Sequence, residues 1–191
     1  DKDDKLISSV LSDGKDELCI ATKQGKAIRF KEDKIRSMGR SAQGVRGISL
    51  KKGDKVVGMV KVEKEGTILT VCEKGYGKRT DFGAYRLQSR GGSGIINTKI
   101  VEKNGPVVGI KTVKEEDEIM LISKSGMVVR IGVKGISKVG RATQGVRLIT
   151  LKAGDKLTSV AMVEKDDDKE DGGDGVIQGT DAGNEGDEGN A

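Results

Sequence analysis

Short apolar runs alternate with polar, glycine-containing turns along most of this chain. Residues 18–22 form one apolar run, Lys23-Gln24-Gly25-Lys26 follows as a turn, and residues 27–30 form a second run. Apolar runs of about four to eight residues bounded by such turns are typical of β-strands joined in hairpins. No stretch keeps a helical period long enough to indicate a helix. The pattern therefore predicts a protein built from short β-strands.

The same pattern predicts further strands along the rest of the chain. Asn104-Gly105 is a hairpin signal, and Pro106 stands where a new strand begins. A third set of strands, on the pattern of the first, covers residues 119–163. The remaining predicted strands cover residues 45–50, 55–62, 67–72, 95–101 and 107–113, with one more running through Arg79. This amounts to about four short strands per unit.

These units are copies of one another. Arg40-Ser-Ala-Gln-Gly44, Arg90-Gly-Gly-Ser-Gly94 and Arg141-Ala-Thr-Gln-Gly145 share one pattern: an arginine, two small residues, Gln or Ser, and a glycine. The pair Gly25 and Arg29 recurs 50 residues later as Gly75 and Arg79, and 101 residues later as Gly126 and Arg130. A period of about 50 residues is that of a propeller blade or a similar β module.

The period predicts an all-β, propeller-like fold with three four-stranded blades, a partial ring, at residues 17–63, 64–114 and 115–163. Residues 4–10 match residues 54–60 and 155–161, which close their own repeats. Residues 1–16 are therefore predicted to be the end of a preceding blade, and the chain to be a fragment of a longer array. Residues 164–191 contain Asp, Glu, Gly and Asn with almost no apolar residue, which predicts a disordered acidic C-terminal tail.

Charge divides the chain into two parts. Residues 164–191 hold 11 acids and two lysines, a net charge of −9, so the overall net charge of +5 leaves +14 on residues 1–163. A strongly basic body indicates a polyanionic partner, and nucleic acid is the usual one. The acidic tail is expected to fold back and compete with that partner, so that truncation after Val163 raises affinity, most at low salt.

Composition also excludes several kinds of site. There is no histidine, and the two cysteines lie in apolar runs, so a zinc site is not expected and buried free thiols are favoured over a disulfide. The Gly75-Tyr-Gly-Lys-Arg-Thr80 segment fails the spacing of a nucleotide-binding P-loop. No apolar run reaches 18 residues, so no membrane span is predicted and a cytoplasmic protein is the default. No catalytic residue and no metal site is predicted.

The repeated arginines are the candidate DNA contacts. One set is Arg29, Arg79 and Arg130, and a second is Arg40, Arg90 and Arg141. Cations repeated blade by blade suit the phosphates of duplex DNA, which present one charge every ~1.7 Å of helix axis. The alternative is that some of them are structural and clamp a loop carbonyl or the repeated aspartates. Further candidate contacts are Arg46, Lys78, Arg86, Lys99 and Arg147.

The glycine loop at 88–94 allows two interpretations. Gly91, Gly92 and Gly94 permit a close backbone approach, either to a phosphate or to a neighbouring blade in a tight connection. The chain has two Phe and two Tyr, too few for a platform on which single-stranded bases stack, and no recognition helix for the major groove. These features favour sequence-indifferent binding and bending of double-stranded DNA.

Several of these motifs together resemble one known family. The Gly75-Tyr-Gly-Lys-Arg-Thr80 segment, the Arg90–Gly94 loop, Asn104-Gly-Pro-Val-Val-Gly109, and the Gly-Arg-x-x-Gln-Gly-Val-Arg segments at 39–46 and 140–147 are similar to the C-terminal domain of the A subunit of bacterial DNA gyrase. The resemblance covers roughly residues 4–163, and the acidic tail is in keeping with it.

The resemblance implies a β-pinwheel, a ring of four-stranded blades with six in the whole domain, that wraps DNA around a basic rim. It implies that the wrap supports ATP-dependent negative supercoiling by the whole type II topoisomerase, in the cytoplasm with the nucleoid. The implied partners are double-stranded DNA, the gyrase B subunit and the rest of the gyrase A subunit. Catalysis, Mg²⁺ and ATP belong to other parts of that enzyme, so Tyr76 and Tyr85 receive no catalytic role and this fragment no cofactor.

One loop departs from the family pattern. The family box reads Gln, basic, Arg, Gly, Gly, basic, Gly, whereas here the two basic positions are serines. The loop consists of Gln88, Ser89, Arg90, Gly91, Gly92, Ser93 and Gly94. Binding and bending are therefore expected more firmly than wrapping. The alternative functions are the A subunit of topoisomerase IV and a propeller-like protein-interaction scaffold.

Overall fold

The structure, a computed structural model, describes residues 4–163. It contains eleven β-strands and three single-turn 3₁₀-helices in that range. The strands are β1 (Glu17–Thr22), β2 (Lys26–Lys31), β3 (Val56–Lys61), β4 (Thr67–Cys72), β5 (Tyr76–Asp81), β6 (Ile95–Ile96), β7 (Val107–Val113), β8 (Glu118–Ser123), β9 (Val128–Gly132), β10 (Val146–Arg147) and β11 (Leu157–Met162). The 3₁₀-helices are Glu32–Lys34, Phe82–Ala84 and Val133–Gly135. The predicted tail lies outside the described residues.

The strands form three antiparallel sheets, one for each repeat. Their strand orders are β3-β1-β2-β6, β10-β5-β4-β7 and, within the described range, β11-β8-β9. The centre of each sheet is the hairpin predicted from the apolar runs, β1–β2, β4–β5 or β8–β9, and the strand beside it ends the repeat. The innermost strand β7 contacts both β3 and β11, so the innermost strands of consecutive sheets pack against one another. The all-β, propeller-like prediction is confirmed.

The fourth strand of a sheet comes from the following repeat. β6 pairs with β2 through Lys26↔Ile96, and β10 pairs with β5 through Tyr76↔Arg147. Adjacent blades are therefore linked by an exchanged outer strand. The second and third repeats hold four strands each, as predicted, but one strand of each repeat pairs in the sheet of the preceding repeat.

Two predicted strands change as a consequence. Residues 45–50 form no strand in the structure, because their counterparts at 95–96 and 146–147 pair with the preceding sheet and no described sheet precedes the first. The predicted strand at 95–101 shortens to Ile95–Ile96. Edge pairing over two residues is enough to link blades whose stability comes from packing between sheets.

The core lies between the sheets. Side chains alternate along each strand, so Cys19 faces the second sheet while Leu18 and Ile20 pack in a cluster on the opposite side of the first. In the middle sheet all six residues of β4 are buried, because Ile68 faces the first sheet whereas Leu69 and Val71 face the third. Each sheet thus supplies one half of a core and stabilises its neighbour.

Candidate nucleic-acid interface

The first set of repeated arginines fastens one blade to the next. The Nη1 group of Arg29 donates hydrogen bonds to the carbonyl oxygens of Phe82 (2.7 Å) and Tyr85 (3.2 Å), and its Nε donates to Glu17 (2.6 Å). One repeat later, Arg79 Nε donates to the carbonyl oxygen of Ile136 at 2.8 Å. In both cases the carbonyl groups that accept these bonds lie in or directly after the 3₁₀-helix of the following repeat. This is the carbonyl clamp that the sequence left open as the alternative to DNA contact.

The third member of this set is placed differently. Arg130 is 60% exposed and its Nε donates to Glu118 at 3.0 Å across the β8–β9 hairpin. Glu118 stands 101 residues after Glu17, so the carboxylate partner repeats together with the arginine. The Arg130 guanidinium holds the pKa of the Glu118 carboxyl below its usual value. Both glutamates are absent from the residues predicted above, although their spacing is visible in the sequence.

The second set also contacts neighbouring backbone. Arg90 donates from Nε to the carbonyl oxygen of Lys34 at 3.2 Å and from Nη1 to that of Arg46 at 3.3 Å. Arg141 donates to the carbonyl oxygen of Ile96 at 2.7 Å. Each loop arginine therefore lies on the outer-strand segment of the preceding repeat. Unlike Arg79, Arg90 and Arg141 stay partly exposed, and Arg40 is exposed without a hydrogen bond or ion pair to any residue in 4–163.

The glycine loop makes a tight blade connection. Gly91 donates its backbone N–H to the carbonyl oxygen of Gly47 at 2.6 Å. Gly94 has φ +66°, and a Cβ there would lie 2.5 Å from the Ala27 carbonyl oxygen. Of the two interpretations of this loop, the structure shows the close approach to the neighbouring blade. Ser89 and Ser93 are exposed, and the partly buried Gln88 side chain leaves its Nε2 without a partner among the described residues.

Lys78, one of the candidate DNA contacts, is a buried cation. Its side chain is 1% exposed, and Nζ donates to the carbonyl oxygens of Asn97 (2.7 Å), Gly140 (2.8 Å) and Arg141. Burial lowers the pKa of this ammonium group to about 8. Arg79, next to it on β5, is 5% exposed. Both side chains are engaged inside the junction between the second and third blades.

Four predicted contacts point their charge outward. Arg46, Arg86 and Lys99 are exposed and, like Arg40, make no side-chain hydrogen bond or ion pair within the described range 4–163. Arg147 is also exposed, and its Nη2 donates to the hydroxyl oxygen of Tyr76 at 3.1 Å. The structure brings Arg46 next to Arg90, and it brings Lys99, whose backbone N–H donates to Thr143, next to the Arg141 loop. Cations thus gather at the outer edge of each blade junction.

The repeated aspartates do not partner the arginines. Asp54 accepts hydrogen bonds from the backbone N–H groups of Gln24 and Lys55, and Asp155 accepts them from those of Ser125 and Lys156. Hydrogen bonds from the Ser125 and Ser123 hydroxyls, the largest cause, hold the pKa of the Asp155 carboxyl at about 2. These carboxylates fix the hairpin turns, so they do not neutralise the basic edge.

The tyrosine and cysteine side chains considered above have structural roles. Tyr85 is 1% exposed and donates its hydroxyl to Asn97 at 2.6 Å, and burial raises its pKa above the ordinary value. Cys19 and Cys72 are buried free thiols, as expected, and burial raises the pKa of each to about 12.

The carboxylates of Asp13, Asp16 and Glu32 lie within 4.8 Å of one another. They accept hydrogen bonds from Ser12 and from the backbone of residues 13–15, so they fix the turn before β1.

Antiparallel blades that exchange an outer strand and carry basic side chains at their junctions define a β-pinwheel repeat protein. The family model described as DNA gyrase C-terminal domain, beta-propeller, matches residues 16–63, 67–114 and 117–164. The chain therefore belongs to the DNA gyrase C-terminal domain family. No helix in residues 4–163 is long and apolar enough to cross a membrane.

Individual relatives agree with this family. The A subunit of DNA gyrase from Staphylococcus epidermidis (strain ATCC 12228 / FDA PCI 1200) is 45% identical over 169 residues, 87% of this chain, and that from Staphylococcus aureus (strain MRSA252) is 44% identical over 171 residues, 88% of this chain. The chain spans only 19% of the length of either relative.

Two solved structures share the fold. The C-terminal domain of DNA topoisomerase IV superposes with a TM-score of 0.76 at 25% identity, over 81% of this chain and 49% of that one. The DNA gyrase A C-terminal domain superposes with a TM-score of 0.73 at 33% identity, over 78% of this chain and 50% of that one.

Proposed function

We propose that this chain is a non-catalytic module of a type II topoisomerase, of the gyrase A kind, that binds and bends double-stranded DNA. The observation that carries the proposal is the set of outward cations at the blade junctions, Arg46 beside Arg90 and Lys99 beside Arg141. No carboxylate of the described residues lies within ion-pair distance of these four. An uncompensated basic edge on a curved repeat array suits a DNA backbone.

Binding of this kind is indifferent to sequence. Phosphate contacts from arginine and lysine fix the position of the duplex but carry no base information. Bending about 20–30 base pairs through a right angle costs on the order of several kcal/mol, so several contacts on successive blades are needed to offset it. The proposed contact residues are Arg40, Arg46, Arg86, Arg90, Lys99, Arg141 and Arg147. Lys78 and Arg79 are left out because they are buried, and Arg29 and Arg130 are left out because each forms an ion pair with a glutamate.

In the whole enzyme this module supports ATP-dependent negative supercoiling. We assign cleavage, Mg²⁺ binding and ATP hydrolysis to the gyrase B subunit, together with the rest of the A subunit. We place the assembly in the cytoplasm, with the DNA. The identity to gyrase A sequences and the clustered exposed cations support this assignment.

Salt dependence tests the contact residues. Replacing Arg46, Arg86 and Lys99 together with glutamine is expected to flatten the slope of log affinity against log salt by about 0.9 per lost contact, roughly 2.7 in all. The measurement is duplex binding by fluorescence anisotropy over a salt series.

The matched control replaces Lys61, Lys111 and Lys114, on or beside the innermost strands, with glutamine. It removes the same charge from the opposite end of the blades and is expected to keep the slope. Equal flattening in both triple variants would show that net charge, not the outer edge, governs binding.

The second candidate is the A subunit of topoisomerase IV, favoured by the TM-score of 0.76 to its C-terminal domain. A whole A subunit carrying this domain, with its ATPase partner, is expected to introduce negative supercoils into relaxed circular DNA. Removing residues 17–163 is expected to abolish supercoiling but leave relaxation. The readout is topoisomer distribution on a gel; relaxation and decatenation without supercoiling would identify the topoisomerase IV kind.

A further inference from the structure

A cleft of about 500 Å³ opens between the second and third blades. It is formed where the β4–β5 turn, the turn before β7 and the segment after β10 meet. Its wall includes Lys74, Tyr76, Lys103, Arg147, Ile149 and Lys156. Its size lies within the range of small-ligand sites, roughly 300–1,000 Å³.

The cleft wall carries more basic side chains than its acidic side chains can neutralise. Lys156 pairs with Glu73 at 3.1 Å, and the Asp155 carboxylate is occupied by the backbone and hydroxyl of Ser125. Lys74, Lys103 and Arg147 are exposed and have no carboxylate within ion-pair distance among residues 4–163. Three positive groups therefore face one opening without a protein counter-ion.

Two of these cations lie close to the ring of Tyr76. Lys103 Nζ is 5.1 Å and Arg147 Cζ 5.7 Å from the centre of its ring, and Arg147 donates to its hydroxyl oxygen. That hydrogen bond and the nearby charges lower the pKa of the Tyr76 phenol. Because the oxygen accepts from Arg147, the hydroxyl proton points elsewhere and makes the phenol a stronger donor to an incoming anion.

The Tyr76–Arg147 pair occurs at the second junction and not at the first. Tyr76 and Arg147 face each other across β5 and β10, and the corresponding pair across β2 and β6 is Lys26 and Ile96. The first junction thus has neither the ring nor the arginine. Strand exchange alone does not require the Tyr76–Arg147 pair, since the first junction forms without it.

We propose that the Tyr76 cleft binds a phosphate group. The ligands are the Arg147 guanidinium, the Lys74 and Lys103 ammonium groups and the Tyr76 hydroxyl, with Ile149 as an apolar wall. The phosphate is either a phosphodiester of duplex DNA or part of a free phosphorylated molecule. Only the DNA source rests on the proposed function; phosphate binding does not.

The test is an NMR titration of the ¹⁵N-labelled 191-residue chain with inorganic phosphate at constant ionic strength. Saturable shifts are expected at the amides of Gly75, Gly77 and Gly154. Arg147→Gln is expected to weaken binding about tenfold and Tyr76→Phe roughly threefold. The matched control is Lys26→Gln, at the same strand position of the first junction, which is expected to bind phosphate unchanged. Preserved spectral dispersion shows that each variant folds.

Shifts that grow without saturation, or that both cleft variants leave unchanged, overturn the proposal. A second arm adds a short blunt DNA duplex to the phosphate-loaded protein. Displacement of phosphate assigns the cleft to the DNA backbone, and DNA binding without displacement assigns it to a free phosphorylated ligand. If phosphate saturates the cleft but the duplex binds nowhere, the proposed DNA function fails while the phosphate site stands.

Discussion

Replacing Arg79 with methionine is expected to lower the free energy of unfolding by about 2–3 kcal/mol. Methionine keeps most of the buried aliphatic volume but removes the charged donor to the Ile136 carbonyl oxygen, which is left without that bond. Urea denaturation gives the free energy. Hydrogen exchange should show the loss locally, at the Val139 amide that donates to the Arg79 carbonyl oxygen across the second junction.

The matched control is Arg130→Met, which alters the same position of the third repeat. Arg130 is 60% exposed and its ion pair with Glu118 lies at the surface, so the expected cost is below about 1 kcal/mol. Comparable losses at Arg79 and Arg130 would mean that burial and the carbonyl clamp contribute nothing. A larger loss at Arg79, together with faster exchange at Val139, identifies the first arginine set as blade fasteners.

The hairpins were predictable because their signals are local. The apolar runs and the turns at Gly25 and Gly75 lie within a few residues of each other, and the structure places β1–β2 and β4–β5 there. The exchanged strand was not predictable in the same way. Residues 45–50 have the composition of a strand, but a strand also needs a partner, and the counterparts of that segment, β6 and β10, pair with the sheet of the preceding repeat.

The two sets of repeated arginines show a different limit of sequence analysis. An arginine that joins neighbouring blades and an arginine that contacts DNA would both recur once in each blade. What separates the two is whether the guanidinium reaches a carbonyl oxygen of the next repeat, as Arg29 does with Phe82. Periodicity cannot carry that information. Arg46, Lys99 and Arg147, added to the candidate contacts beside the two repeated sets, proved to be exposed.

Lys78 was misplaced because both alternating faces of the middle blade are covered. From Tyr76 to Thr80 every residue of β5 is buried, since blades pack on both sides and the exchanged strand covers the edge. A lysine in such a strand must satisfy its ammonium group internally. It does so with three carbonyl oxygens, two of them in the 140–141 loop of the next repeat.

This burial predicts a pH dependence of stability. The pKa of Lys78 is about 8 in the folded chain, chiefly because burial disfavours the charged form, whereas an unfolded lysine titrates near ~10.4. Between these values the unfolded chain holds more protons, so the free energy of unfolding rises with pH through that window. Relative to Lys78→Met, the wild type should gain about 2 kcal/mol between roughly pH 7.5 and pH 10, after a discount for solvent screening.

The comparison with Lys78→Met removes the other titrations in that range. Cys19 and Cys72 act in the opposite direction, because their thiols stay protonated in the folded chain and ionise on unfolding. Cys19 is present in both proteins, and both carry Cys72→Ala because Cys72 interacts electrostatically with Lys78. Arg141 is present in both proteins, and it favours the neutral amine of Lys78. Urea denaturation of both proteins at a series of pH values gives the difference. Parallel pH curves would show that Lys78 titrates normally and that its contacts with the 140–141 loop leave the ammonium group hydrated.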